Sequence, residues 1–216
     1  MADFRLRVTY RMAGRLVMLS HLEVCRALER AVRRADLPYA VSQGFSPHMK
    51  LAFGAALPVG VGGDEEIFDV QLTEYVAPER ALERLRASSA DDLMPLSARY
   101  ITKEDLAASV AYPISTYEAV LAFNDPERVD EAALAAATAA CTVPDEIVVV
   151  RKKKEKRLVP AEFLIDGVHA ADNRLTFTLE AKPSGSLRPD VLLDAMLEGT
   201  GLHAASVMRT RQAAAR

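Results

Sequence analysis

The sequence predicts an α+β fold made of two successive β-α-β-β-α-β units. Several stretches alternate apolar and polar residues with period two, as in Phe4-Arg5-Leu6-Arg7-Val8-Thr9-Tyr10, which is the pattern of a half-buried strand. Capped or proline-opened segments with apolar residues at helical spacing lie between them. The order of these elements runs twice along 216 residues, a length that suits one large domain or two of about 100. No sequence repeat accompanies the duplication, which rests on element order alone. The expectation is two tandem ferredoxin-like sandwiches, each a sheet with two helices on one face. The first unit spans 1–103 with a polar hairpin loop at 42–50, and 104–114 is a linker. The second spans 115–216 with a basic hairpin at 151–157.

Each element has a local reason. Phe4, Leu6, Val8 and Tyr10 are the buried side of the first strand, with Arg5, Arg7 and Arg11 outward. Ala13–Leu16 turns the chain. Ser20 caps a helix and Glu23, three residues on, completes a capping box. Leu22, Cys25, Ala27, Leu28 and Val32 mark its buried face, and Arg26, Arg30, Arg33 and Arg34 fall largely opposite. Pro38 stops it. Tyr39–Ser42 and Lys50–Phe53 read as strands, and 58–63 as a flexible connector. Glu66–Thr73 is a strand, Pro78 opens a helix carrying Leu82 and Leu85, and Leu96–Ile101 closes the unit. In the second unit Ser115–Phe123 is a strand, and Asp125 or Pro126 opens an alanine-rich helix to Cys141. Glu146–Lys152, Phe163–Val168 and Leu175–Ala181 are strands, the last two joined at Asp172-Asn173. Pro189–Leu197 is a helix and Ala205–Arg211 a closing strand.

Composition narrows the function. Apolar content of 50% and a mean hydropathy of +0.03 fit a protein with a real core. No apolar run approaches the roughly 20 residues of a membrane span, and the charged, alternating start MADFRLRVTY is not a signal peptide. Cys25 and Cys141 make neither a disulfide framework nor a metal-ligand spacing, so a cytoplasmic location is expected. With a net charge of -3, nucleic acid would be met only through a local patch. GxGxxG, GxSxG and HExxH are missing, as is the CxxxCxxC that would hold an iron–sulfur cluster. No cofactor or metal is expected.

Three stretches can carry chemistry. Between the strands at Tyr39 and Lys50, a loop spends Ser42, Gln43, Ser46, His48 and Lys50 in nine residues, with Phe45 among them. A connection built only to turn needs little beyond Gly or Asn, so this is a ligand-facing loop or one whose side chains cap their own backbone. Arg151, Lys152, Lys153, Lys154, Lys156 and Arg157 place six cations in seven residues, which suits a phosphate backbone through counterion release. Lys182–Pro189 runs into a helix, where Arg188 and the backbone around Gly185 suit an anion; without GxxxxGK(S/T) the pattern is no P-loop, and a plain strand-to-helix loop is the favoured reading. His21 and His48 are the candidate acid and base if the fold brings them together.

The run SHLEVCRALERAVRRADLPYAVSQGFSPHMKLAFGAALPVGV, from Ser20 to Val61, resembles the hallmark of the radical-SAM-linked protein family, the radical-SAM-associated, DUF2344-type proteins, in a stand-alone form. Gly185-Ser186 and Arg188-Pro189-Asp190 fit the same pattern. The resemblance implies a role beside a radical S-adenosylmethionine enzyme, on RNA, and carries no catalytic residues with it. Tandem ferredoxin-like units also occur in CRISPR RNA-processing endoribonucleases, an analogy of architecture alone. The expected function is an RNA-binding accessory module for a separate radical-SAM enzyme, in RNA modification or processing. His21, Gln43, Phe45, Ser46, His48 and Lys50 would bind substrate; Arg151, Lys152, Lys153, Lys154, Lys156, Arg157 and Arg188 would hold phosphates. The alternatives are an RNA-cleaving or RNA-modifying enzyme using His21 or His48, and a protein-docking adaptor without RNA binding.

Overall fold

A computed structural model describes residues 4–151 and 154–215. They form a mixed α and β fold in two units, Met1–Tyr112 and Pro113–Arg216. The first contains β1 (Phe4–Met12), α1 (His21–Arg34), β2 (Leu51–Phe53), β3 (Val61–Leu72), α2 (Pro78–Ser88), β4 (Leu93–Ile101) and the short α3 (Ala108–Ala111). Its antiparallel strands lie in the order β4-β1-β3-β2. Leu6, Val8, Tyr10 and Met12 of β1 and Phe68, Val70 and Leu72 of β3 share one face. They pack with Val24, Leu28 and Val32 of α1 and Ala81 and Leu85 of α2, so both helices cover that side.

Period two correctly gives the apolar face of β1, but the arginines opposite are not all outward. Arg7 is buried, and its Nε and Nη2 donate to both oxygens of Asp69 at 2.7 and 2.9 Å, directly across the β1–β3 register. A third bond runs from Nη2 to the Leu106 carbonyl at 2.7 Å. Asp69 holds the guanidinium's pKa above its ordinary value. The cover over this face comes from the stretch expected as a linker. Ala108 and Ala111 are buried against Ile67, with Tyr112 packed beside them.

Other differences are local. The capping box forms as expected: Ser20 N–H donates to Glu23 at 2.8 Å, and Ser20 Oγ accepts the Glu23 N–H at 3.4 Å. The buried face of α1 is Val24, Leu28, Ala31 and Val32, while Leu22 is 59% exposed. Only isolated bridges, Tyr39–Leu72 and Val41–Met49, replace the strand expected at Tyr39–Ser42. Val61–Gly63 is not a connector but the buried start of β3.

The second unit contains β5 (Ile114–Phe123), α4 (Glu131–Ala139), β6 (Ile147–Arg151), β7 (Lys154–Leu158), β8 (Leu164–Ala171), β9 (Arg174–Glu180), α5 (Pro189–Leu197) and β10 (Leu202–Ala213). Its antiparallel order is β10-β5-β9-β8, with β6 and β7 as a separate hairpin. α4 starts at Glu131, not Asp125, because Asp130 supplies the cap by accepting the Ala133 N–H at 2.9 Å. No helix among the described residues is long and apolar enough to cross a membrane.

Candidate functional site

The polar loop is closed by its own bonds. Lys50 N–H donates to Ala40 O at 2.9 Å and Ser42 N–H to His48 O at 2.8 Å, which pins both ends. Inside, Ser42 Oγ accepts the His48 N–H at 3.0 Å and lies 2.8 Å from His48 Nδ1. The same Nδ1 lies 3.3 Å from the Ser46 carbonyl. Both contacts engage Nδ1, so the other ring nitrogen, Nε2, is left for an outside partner. Gly44 sits at φ +139°, a conformation that side-chain-bearing residues avoid. The chain therefore reverses there, with Gln43, Phe45, Ser46 and Lys50 all exposed.

Phe45 decides what this loop can do. Its relative exposure is 111%, so the ring packs on nothing. Ser42, Ser46 and His48 are spent partly on each other, which is the self-capping half of the sequence expectation. Phe45, Gln43 and Lys50 are not spent in this way. A solvent-facing ring in one loop with a cation and an amide can stack on a base and bond its edge.

His21 has different neighbours. Its Nε2 lies 3.5 Å from Cys25 Sγ, one helical turn on, and its ring meets Phe53 edge-on at 5.8 Å between centroids. Burial and Glu29 raise the Cys25 pKa, which opposes thiolate formation. His21 lines a narrow cleft with Tyr10, Phe53, Ala55 and Glu66. Glu66 was missed in the sequence, although it shares the parity of Phe68, Val70 and Leu72 on β3 and is buried with them. A Cβ on Gly63 would come within 2.2 Å of its carboxylate, so glycine there gives the acid its room. Among the described residues these neighbours of His21 differ from the Ser42 and Ser46 that hold His48.

The basic hairpin forms, with Arg151 opposite Lys154 in register. Lys152 and Lys153 lie outside the described residues. Lys156 and Arg157 are exposed, but Arg157 Nη1 bonds Glu146 at 2.7 Å. Lys156 Nζ reaches the tight turn in which Lys182 and Gly185 exchange N–H···O bonds of 2.9 Å. Arg188 grips Asp190 with two nitrogens, Nε at 3.0 Å, so its charge is neutralised locally. On α1, Arg26, Arg30, Arg33 and Arg34 are exposed. Among the described residues no ion pair engages them.

The family described as "Uncharacterized protein conserved in bacteria (DUF2344)" matches residues 5–189. No curated protein matches the chain. Among solved structures, one chain of a Cbf5-Nop10-Gar1 complex is similar at 12% identity and a TM-score of 0.44, covering 96% of this chain and 48% of that one. A chain of the archaeal box H/ACA sRNP Nop10-Cbf5 complex is similar at 14% identity and a TM-score of 0.39, covering 96% and 47%. The protein thus spans about half the length of the solved chains it matches.

Proposed function

We propose a function for this chain, which belongs to the DUF2344 family of proteins conserved in bacteria: it is an RNA-binding accessory module acting with a separate radical S-adenosylmethionine enzyme, in RNA modification or processing. The observation that carries the RNA half is Phe45, held fully in solvent by a loop that satisfies its own backbone. Exposing a whole phenyl ring forgoes about 1.5–3 kcal/mol of burial, and a stacking platform gives that exposure a purpose. Gln43 and His48 Nε2 would bond the base edge, with Ser46 as a further contact, and Lys50 would meet the phosphate. His21 would contribute from its separate cleft. The basic hairpin, with Arg151, Lys152, Lys153, Lys154 and Lys156, would add non-specific grip. The enzyme half rests on the resemblance of Ser20–Val61 to radical-SAM-linked proteins. Each unit also reads as ferredoxin-like, since both strand orders correspond to 4-1-3-2 of a βαββαβ chain, the second with the β6–β7 hairpin inserted after its first helix.

The test is binding of single-stranded RNA to the full chain by anisotropy, across a salt series. The expected result is an affinity whose logarithm falls with log salt by about 0.7 per phosphate neutralised. Phe45→Ala should weaken it about 5- to 150-fold, the equivalent of ~1–3 kcal/mol for one stacked base, with thermal stability unchanged. Full RNA affinity in Phe45→Ala would sink the loop as the base site. No RNA binding, together with capture of a radical-SAM enzyme, would make the loop a protein-docking surface.

A further inference from the structure

We infer that the first unit holds a second nucleotide subsite, in the cleft between the end of α1 and the start of α2, where Tyr75 stacks a base of single-stranded RNA and Arg80 and Arg84 hold its phosphate. The inference rests on the RNA-binding reading and adds to it a site that the polar loop does not include. The cleft has a volume of about 460 Å³, within the roughly 300–1,000 Å³ of small-molecule sites. Asp36, Pro38, Glu74, Tyr75, Arg80 and Arg84 line it.

Tyr75 is built as a platform. One face of its ring lies on Tyr100, with centroids 5.2 Å apart and planes 26° apart, and Phe4 packs against it at a steep angle, 6.0 Å between centroids. Tyr100 is itself fixed, because its hydroxyl accepts the Val76 N–H at 3.0 Å and donates to the Val76 carbonyl at 2.9 Å. Tyr75 nevertheless remains 62% exposed. An aromatic ring backed on one side and open on the other presents a π-face to any base.

The cations beside it ask for an anion. Arg80 and Arg84 stand four residues apart on α2, about 6 Å along the axis and on one face, where like charges repel. Arg84 is anchored by Nη1 donating to the Asp36 carbonyl at 3.0 Å, which bonds it without neutralising it. Arg80 is exposed, and among the described residues no ion pair engages it. The Asp36 and Glu74 carboxylates also border the cleft, so the anion belongs on the α2 side. The position suits a strand that continues from the polar loop. Pro38 lines the cleft and Ser42 begins the loop four residues later, a reach of at most about 14 Å.

The chain has no tryptophan, so Tyr75→Trp places a single indole reporter at the platform. The experiment titrates this variant with a single-stranded RNA octamer, and measures affinities of the wild type, Tyr75→Leu and Arg80→Glu by anisotropy. Tyr75→Leu keeps apolar cover on Tyr100 but removes the flat ring. The expected results are quenching of the indole, and losses of about 5- to 150-fold for Tyr75→Leu and at least fivefold for Arg80→Glu. RNA binding by the wild type with no quenching, or with both variants within twofold of it, overturns the subsite and leaves the polar-loop reading intact. No RNA binding by the wild type overturns both. Should the Tyr75 variants fold poorly, Arg80→Glu decides alone, since its side chain is exposed and no ion pair among the described residues engages it.

Discussion

Replacing Asp69 by alanine should cost the first unit about 3–5 kcal/mol, the penalty for leaving one member of a buried ion pair without its partner. The structure sets that magnitude. Both side chains are nearly inaccessible, at 4% and 3% exposure, and the pair is bidentate at 2.7 and 2.9 Å. After the change, Arg7 keeps the Leu106 carbonyl and its contact with the Tyr112 ring, 6.0 Å from the guanidinium carbon, but no carboxylate to balance its charge. Against a typical total of 5–15 kcal/mol, that is a fifth or more of the stability. Replacing both partners, Arg7→Met with Asp69→Leu, should return to within about 2 kcal/mol of wild type. No charge is then stranded, and the remaining cost is mainly the lost contacts of Arg7 with the Leu106 carbonyl and Tyr112. The assay is native-state amide exchange in β1 and β3, which reads the first unit by itself. A coupling energy below about 0.5 kcal/mol across the double-mutant cycle would refute the reasoning, since it would mean that water already reaches the pair.

Two further outcomes follow from the loop and the helix that precedes it. Ser42→Ala removes the acceptor of the His48 N–H, so exchange of that amide should rise roughly 2- to 12-fold, the equivalent of about 0.5–1.5 kcal/mol, while global stability stays put. An unchanged rate would show that Ser42 does not lock the loop. Glu23 has its pKa lowered by the bonds from Ser20. A depressed carboxylate gives stability that is present above its unfolded pKa, near 4.3, and is lost as pH falls through the lower folded value. Urea unfolding of wild type and Glu23→Ala should therefore differ at pH 7, and the gap should narrow as pH falls below the unfolded carboxylate range; a gap independent of pH would rule out the charged form as the source.

What could be read in advance was whatever is written locally. The capping box lies within four residues, and the proline that opens α5 needs no distant partner. Period two gave the faces of β1 and β3 but not what covers them. Arg7 was expected in solvent because the segment that buries it comes about a hundred residues later. The stripe on α1 was misphased because Leu22 and Val24 both fit a helical period. Only the packed sheet decides that Val24 goes in and Leu22 stays out. Glu66 was readable, since its parity on β3 is that of Phe68. So was the neutralisation of Arg188, whose partner Asp190 is two residues away. The Tyr75 platform was not, because Tyr100 lies on another strand.

A charge count misleads in this protein, and the reason bears on mechanism. The basic run at 151–157 is the most conspicuous feature of the sequence, yet Arg157 is tied to Glu146, as Arg188 is to Asp190. Exposed pairs of this kind contribute little to stability, but they lessen the attraction for a phosphate. The side chains left open are different in kind: Phe45 with its ring in solvent, Tyr75 backed by Tyr100, and Lys50 and Arg80 near them in sequence. Recognition built on such groups gains affinity from stacking, which tolerates any base and is screened little by salt. In a chain of net charge -3, the proposed RNA binding would have to rest on such contacts, since long-range attraction is weak and short-range contact must supply the rest. Under the same proposal, a module holding single-stranded RNA by a few flat contacts would leave the remaining base edges and sugars accessible to a second protein.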